Sequence, residues 1–176
     1  WTFTTGDTLS LTSPDSLVNA DWGADDLIAA CSDTGRVHVW NARTGQLQRL
    51  IDAHEEHAMQ VVFNKRGDLL ASTSWDGTTR FCNPWTGQLL LVVAGDTQAL
   101  QFSVDDRQFA LHKRRLGPQS VFEFLEIDES PVVQRIDYHS SDRGAWTLDF
   151  SPDGRLMARV QGGASVRLFD IVSRQL

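Results

Sequence analysis

The stretch SDTGRVHVWNARTGQL at residues 32–47 returns 42 residues later as SWDGTTRFCNPWTGQL at residues 74–89, aligned without a gap. Each copy reads as the end of one strand, a tight turn on Gly, a short β-rich run and a closing Thr-Gly-Gln-Leu. The aromatic that ends the run serves as a ruler. Its station falls at Trp1, Trp40, Cys82, Phe124 and Phe169, with spacings of 39, 42, 42 and 45 residues. A chain that repeats itself at about 40 residues is a stack of equivalent units before it is anything else.

Within each period, β-rich runs are separated by turns of Gly, Asp, Asn and Pro, and no long window carries a helical period. The second copy predicts strands at 58–64, 69–74, 78–83 and 88–93, joined by KRGD, WDG and PWTG. Pro presets φ in such turns, Asp bonds its own backbone and Gly accepts positive φ. The fourth copy predicts strands at 145–151, 156–161 and 165–171. The third predicts 97–103, 108–112, 120–127 and 132–138, with an enlarged connection KRRLGPQ between its second and third strands. Four strands per unit at this period make an all-β propeller of about four consecutive four-stranded blades.

SPDGRLMA, SWDGT, VWNARTGQL, LFDIVSRQL and the pair Ala53-His54 ahead of Phe63 resemble the WD40-repeat family, and the resemblance covers nearly the whole chain. It implies that each sequence repeat supplies the outer strand of one blade and the inner three of the next. On that reading residues 1–12 end a preceding blade, and the blades occupy 13–52, 53–93, 94–138 and 139–176, the last short of an outer strand. Family rings usually hold six to eight blades, so the expectation is a piece of a longer propeller. A closed four-bladed ring completed by residues 7–12, or two chains forming eight blades, stand as rivals. An unclosed arc exposes apolar sheet faces, so self-association of the open piece is expected.

Net charge of -7 argues against a general nucleic-acid binder, which relies on basic surface. At 41% hydrophobic and 22% charged residues the chain is of ordinary globular composition, and no apolar run reaches the roughly 18 residues that span a bilayer. Cys31 and Cys82 lie in different repeats without CxxC spacing and read as buried thiols. The compartment is left open, with the cytoplasm as default.

His54, Ser72 and Asp76 include the residue types of a hydrolase triad. The resemblance implies a structural role instead: a His before the first strand, a Ser on the second, an Asp in the next turn and a Trp on the third form a buried network that ties a blade together. Trp40 holds the Trp station in the first blade, where Ser13 stands for the His and Asp33 or Thr34 for the Asp. Cys82 holds the Trp station in the second blade. The fourth blade has His139 two positions off station, Gly162-Gly163 for Asp and Phe169 for Trp. Asp25-Asp26 and Asp105-Asp106 read as solvated turn residues without a calcium-loop pattern. His54 and His57 lack a third ligand for zinc. Neither metal, cofactor nor catalysis is expected.

The resemblance further implies that loops before the first strand and after the second share one rim, the usual platform for a protein or peptide partner. Candidates there are Trp75, Glu56, His57, Asp33, Lys113, Arg114, Arg115 and Arg143. Trp75 has no obvious core to enter, and Trp is enriched at interface anchors. Two readings of function remain: a non-catalytic scaffold, or a regulatory extension of a multidomain enzyme, such as a serine/threonine kinase, whose catalytic domain lies outside these residues.

Overall fold

The computed structural model describes residues 9–114, 120–127, 133–138, 148–161 and 165–171, and these form strands and turns without a helix. The first sheet holds β1 (Leu17–Trp22), β2 (Leu27–Ser32), β3 (Arg36–Asn41) and β4 (Leu47–Asp52). The second holds β5 (Ala58–Phe63), β6 (Leu70–Ser74), β7 (Thr78–Cys82) and β8 (Leu89–Ala94). In the third are β9 (Thr97–Phe102), β10 (Gln108–Arg114), β11 (Ser120–Glu126) and β12 (Val133–Tyr138). The described part of the fourth comprises β13 (Leu148–Phe150), β14 (Leu156–Gln161) and β15 (Ser165–Asp170). Every sheet is an antiparallel meander in chain order. These are propeller blades.

The repeat is carried into the hydrogen-bond register. Ile28 faces Trp40 as Leu70 faces Cys82, and both third strands shift register at that station, between Val39 and Trp40 and between Phe81 and Cys82. Gly35 and Gly77 close equivalent tight turns, with their amides on the carbonyls of Ser32 and Ser74. Gly35 is required twice over: its φ is 82°, and a Cβ would strike the carbonyl oxygens of His54 and Glu56.

First strands carry the path from blade to blade, β1 along β5, β5 against β9 and β9 against β13. Among the described residues the ring is not closed. The apolar cores lie between sheets. Leu27, Val37 and Val39 of the first blade meet Val61, Phe63 and Leu70 of the second. Phe81 meets Phe102 and Phe109 across the next seam, with ring centroids 6.4 and 4.7 Å away. Ala110 and Phe124 meet Phe150, Met157 and Phe169 across the third. Gly23 makes the first seam possible, since a Cβ there would sit 2.8 Å from the Phe63 ring.

Polar side chains stitch the same seams. Asn19 Oδ1 accepts the Val61 amide at 3.0 Å and Asp21 Oδ2 the Phe63 amide at 2.7 Å. Asp106 corrects the expectation of a solvated turn. It is 5% exposed and accepts the amides of Lys65 (2.7 Å) and Arg66 (2.9 Å) and the Asn64 side-chain amide (3.3 Å). A single carboxylate of the third blade thus caps a turn of the second, where otherwise unpaired donors would be buried.

Candidate functional site

The turn after β6 organises the most polar part of the second blade. Asp76 Oδ1 accepts the Thr78 amide at 2.9 Å and its hydroxyl at 2.7 Å, the local Asx geometry that Asp favours in tight turns. Its other oxygen faces His54 Nδ1 at 3.0 Å, and His54 Nε2 lies 2.8 Å from Ser72 Oγ. An ionised carboxylate only accepts, so Nδ1 carries the proton and the Ser72 hydroxyl donates to Nε2.

Burial pushes the His54 pKa below its ordinary 6.5, against the pull of Asp76, so the imidazole is neutral at pH 7. Burial also works to raise the Asp76 carboxyl, but bonds from Thr78 and His54 outweigh it and hold the pKa below the usual carboxylate value. The connectivity is that of a triad, yet Ser72 is 2% exposed and its hydroxyl is spent on the ring. Its physical yield is a fixed turn. Ser74 extends it, with its hydroxyl accepting the Asp76 amide and donating to the Glu56 carbonyl at 3.0 Å.

Trp40 fills its station in the first blade at 2% exposure, stacked on His38 at 5.3 Å. Beside Cys82, at the same station of the second blade, lies an open cleft lined by Ile51, Ala53, Ser72, Arg80, Cys82 and Leu89. Desolvation raises the Cys82 thiol to about 11, which leaves it protonated and unreactive at neutral pH.

Sequence reasoning missed the first blade's own arrangement. His38, on β3 rather than ahead of β1, places Nε2 2.9 Å from Ser13 Oγ and 3.3 Å from Asp15 Oδ2. Arg36 reaches Asp15 at 3.6 Å and Asp52 at 3.3 Å. Ser13 at the His station was the available signal, since it leaves His38 as the one histidine within residues 13–52.

The rim candidates separate into groups. Trp75 is 66% exposed and stacks on His57 with centroids 4.5 Å apart and planes 20° from parallel. Its amide donates to the His57 carbonyl at 3.0 Å. Glu56 and Asp33 are exposed too, and the 32–35 turn abuts the 54–56 loop, where the His54 amide donates to the Gly35 carbonyl. Lys113 departs from the expected loop. β10 runs on to Arg114, and Lys113 is buried at 7% exposure, with Nζ donating to the Ala94 carbonyl at 2.7 Å and paired with Glu123. An unpaired ammonium would not survive that burial, and Glu123, diagonally across the ladder on the neighbouring strand, supplies the counter-charge. Arg114 ends the strand opposite Ser120. Arg115, Arg143, His139 and Gly162-Gly163 lie outside the described residues, as does Trp1.

No group of three His, Cys, Asp or Glu among the described residues is arranged to hold a metal ion, and no described helix is long and apolar enough to cross a membrane.

Four-stranded meanders joined through their first strands, with a His-Asp-Ser network at the turn, define a repeat protein of propeller type. Residues 45–83 match the family model for the WD domain, G-beta repeat, so the chain carries a WD40 repeat over that stretch. It is similar to the Periodic tryptophan protein 2 homolog of Schizosaccharomyces pombe, 29% identical over 90% of this chain and 20% of that protein. Periodic tryptophan protein 2 of Saccharomyces cerevisiae is 29% identical over 84% of the chain and 18% of its own length. The WD repeat-containing protein SL1-17 of Schistosoma mansoni is 24% identical over 82% of the chain and 47% of its length. The chain spans a fifth or less of the Periodic tryptophan protein 2 relatives.

Proposed function

We propose that the chain acts as a non-catalytic WD40 scaffold whose rim, centred on Trp75, receives a protein or peptide partner. WD-repeat relatives support the scaffold class. The observation that carries the rim is Trp75 itself, 66% exposed on a turn that the His54 network holds still. A large aromatic presented on a rigid base offers contact area at little ordering cost, which is the physics of an interface anchor.

The test is a peptide selection on the purified chain, with selected peptides re-measured against Trp75→Ala. Affinity falling about tenfold with an unchanged melting temperature supports the rim. Peptides that bind the variant equally well, or a variant that loses stability instead, overturn it. Turnover of an ester or peptide substrate, abolished by Ser72→Ala, would overturn the non-catalytic reading.

A further inference from the structure

Building on the rim reading above, we infer that the segment received there is basic and seats an arginine on the open side of Trp75. Asp33 and Trp75 occupy the same station on neighbouring blades, each the second residue of its Ser-x-x-Gly turn. The loop carrying Glu55, Glu56 and His57 runs between them, tied to both turns by the Gly35 carbonyl and by Ser74. The loop beside the exposed indole therefore carries two exposed acidic residues, Glu55 and Glu56, and the turn on that loop's other side carries a third, Asp33.

Charge bookkeeping decides the sign. Among the described residues no ion pair or side-chain hydrogen bond engages the carboxylates of Asp33, Glu55 or Glu56. The described cations of these two blades nearest the loop are occupied: Arg36 lies between Asp15 and Asp52, Arg80 reaches Asp76 at 3.7 Å, and Lys113 of the third blade is buried against Glu123. Among the described residues, what remains is uncompensated negative charge on the loops that flank the Trp75 turn. Such charge together with an exposed indole repels phosphate and acidic segments and attracts cations. His57 backs one side of the indole, which leaves the opposite face for the incoming group. A guanidinium suits it better than an ammonium, because it is planar, weakly hydrated and able to stack while its N–H groups reach flanking carboxylates.

The experiment is fluorescence anisotropy on the full chain at about 0.15 M salt, with labelled peptides of equal length in which Gly alternates with Arg, with Lys or with Glu. The Arg peptide is expected to bind, the Lys peptide about threefold to tenfold more weakly, and the Glu peptide not at all. Trp75→Ala should weaken the Arg peptide about tenfold, Trp75→Phe less, and the pair Glu55→Gln/Glu56→Gln should weaken it about threefold to tenfold and flatten its salt dependence. Melting curves of each variant separate lost binding from lost folding. If the Glu peptide binds as well as the Arg peptide, or if the Gln pair changes nothing, the charge assignment is wrong, while a persisting effect of Trp75→Ala keeps the rim. If no peptide binds and peptides selected without bias ignore Trp75, both readings fall.

Discussion

His54 shows how one side chain spends all its polar capacity inside a blade. Both ring nitrogens have partners, so removing either end strands a buried group. His54→Ala or Asp76→Ala should each cost about 1 to 3 kcal/mol in urea denaturation; a midpoint unchanged by both would show that the turn does not depend on the network. The sign with pH follows from the depressed imidazole. The unfolded chain takes up the proton near 6.5 and the folded chain only at lower pH, so stability declines as pH falls below about 6.5 and levels off once the folded ring titrates. His38 is depressed in the same direction, burial again outweighing Asp15. The double variant His38→Gln/His54→Gln should therefore flatten the stability profile between neutral pH and about 5. Asp76 adds its own loss only below its ordinary 3.8, as pH falls through its lowered folded value. Cys82 is the complementary case. Cys82→Trp should fill the cleft beside Ile51 and Leu89 and raise stability by about 1 to 2 kcal/mol, read from the same urea curves.

Outer strands differ in how they protect their free edges. β4 carries Gln48, Arg49 and Asp52, and β12 carries Gln134, Arg135 and Asp137 in its sequence. β8 reads Leu-Leu-Leu-Val-Val-Ala, with Leu89 to Val92 each 40% to 52% exposed. An apolar strand edge without charge or Pro is a template for pairing with another chain. Leu90→Lys with Val92→Lys should lower self-association in sedimentation at matched concentration and leave the melting temperature within a few degrees; an unchanged distribution would place association elsewhere. The strands themselves were legible in sequence, since Gly and Asp turns recur in phase with alternating β-rich runs. β10 was read too short because Lys113 and Arg114 look like loop residues when counted by charge. The Glu123 that neutralises Lys113 sits on the next strand two positions along the ladder, opposite Leu111, and only pairing two strands on paper would have shown it.

Across the whole molecule, what escaped a one-dimensional reading is chiefly what joins one blade to the next. His54, Ser72 and Asp76 were legible as a group because a repeat places them at fixed stations, and the structure brings them within hydrogen-bonding distance. The grips of Asn19, Asp21 and Asp106 on neighbouring backbones link residues about 40 apart through side chains with no local pattern. Asp106→Ala removes a buried acceptor of three donors and places Ala at a φ of 58°, so a loss of about 2 to 4 kcal/mol is expected. Hydrogen exchange should quicken at the Lys65 and Arg66 amides first; uniform exchange across the chain would mean that the clamp is not local.

The seams have one more consequence. With the oil of each pair of leaves held in common, no leaf owns a complete interior, so the array behaves as a row of nearest-neighbour couplings in which order spreads from a seed and erodes from its rims. Grafting or permuting this array should therefore cut through leaves, never between them.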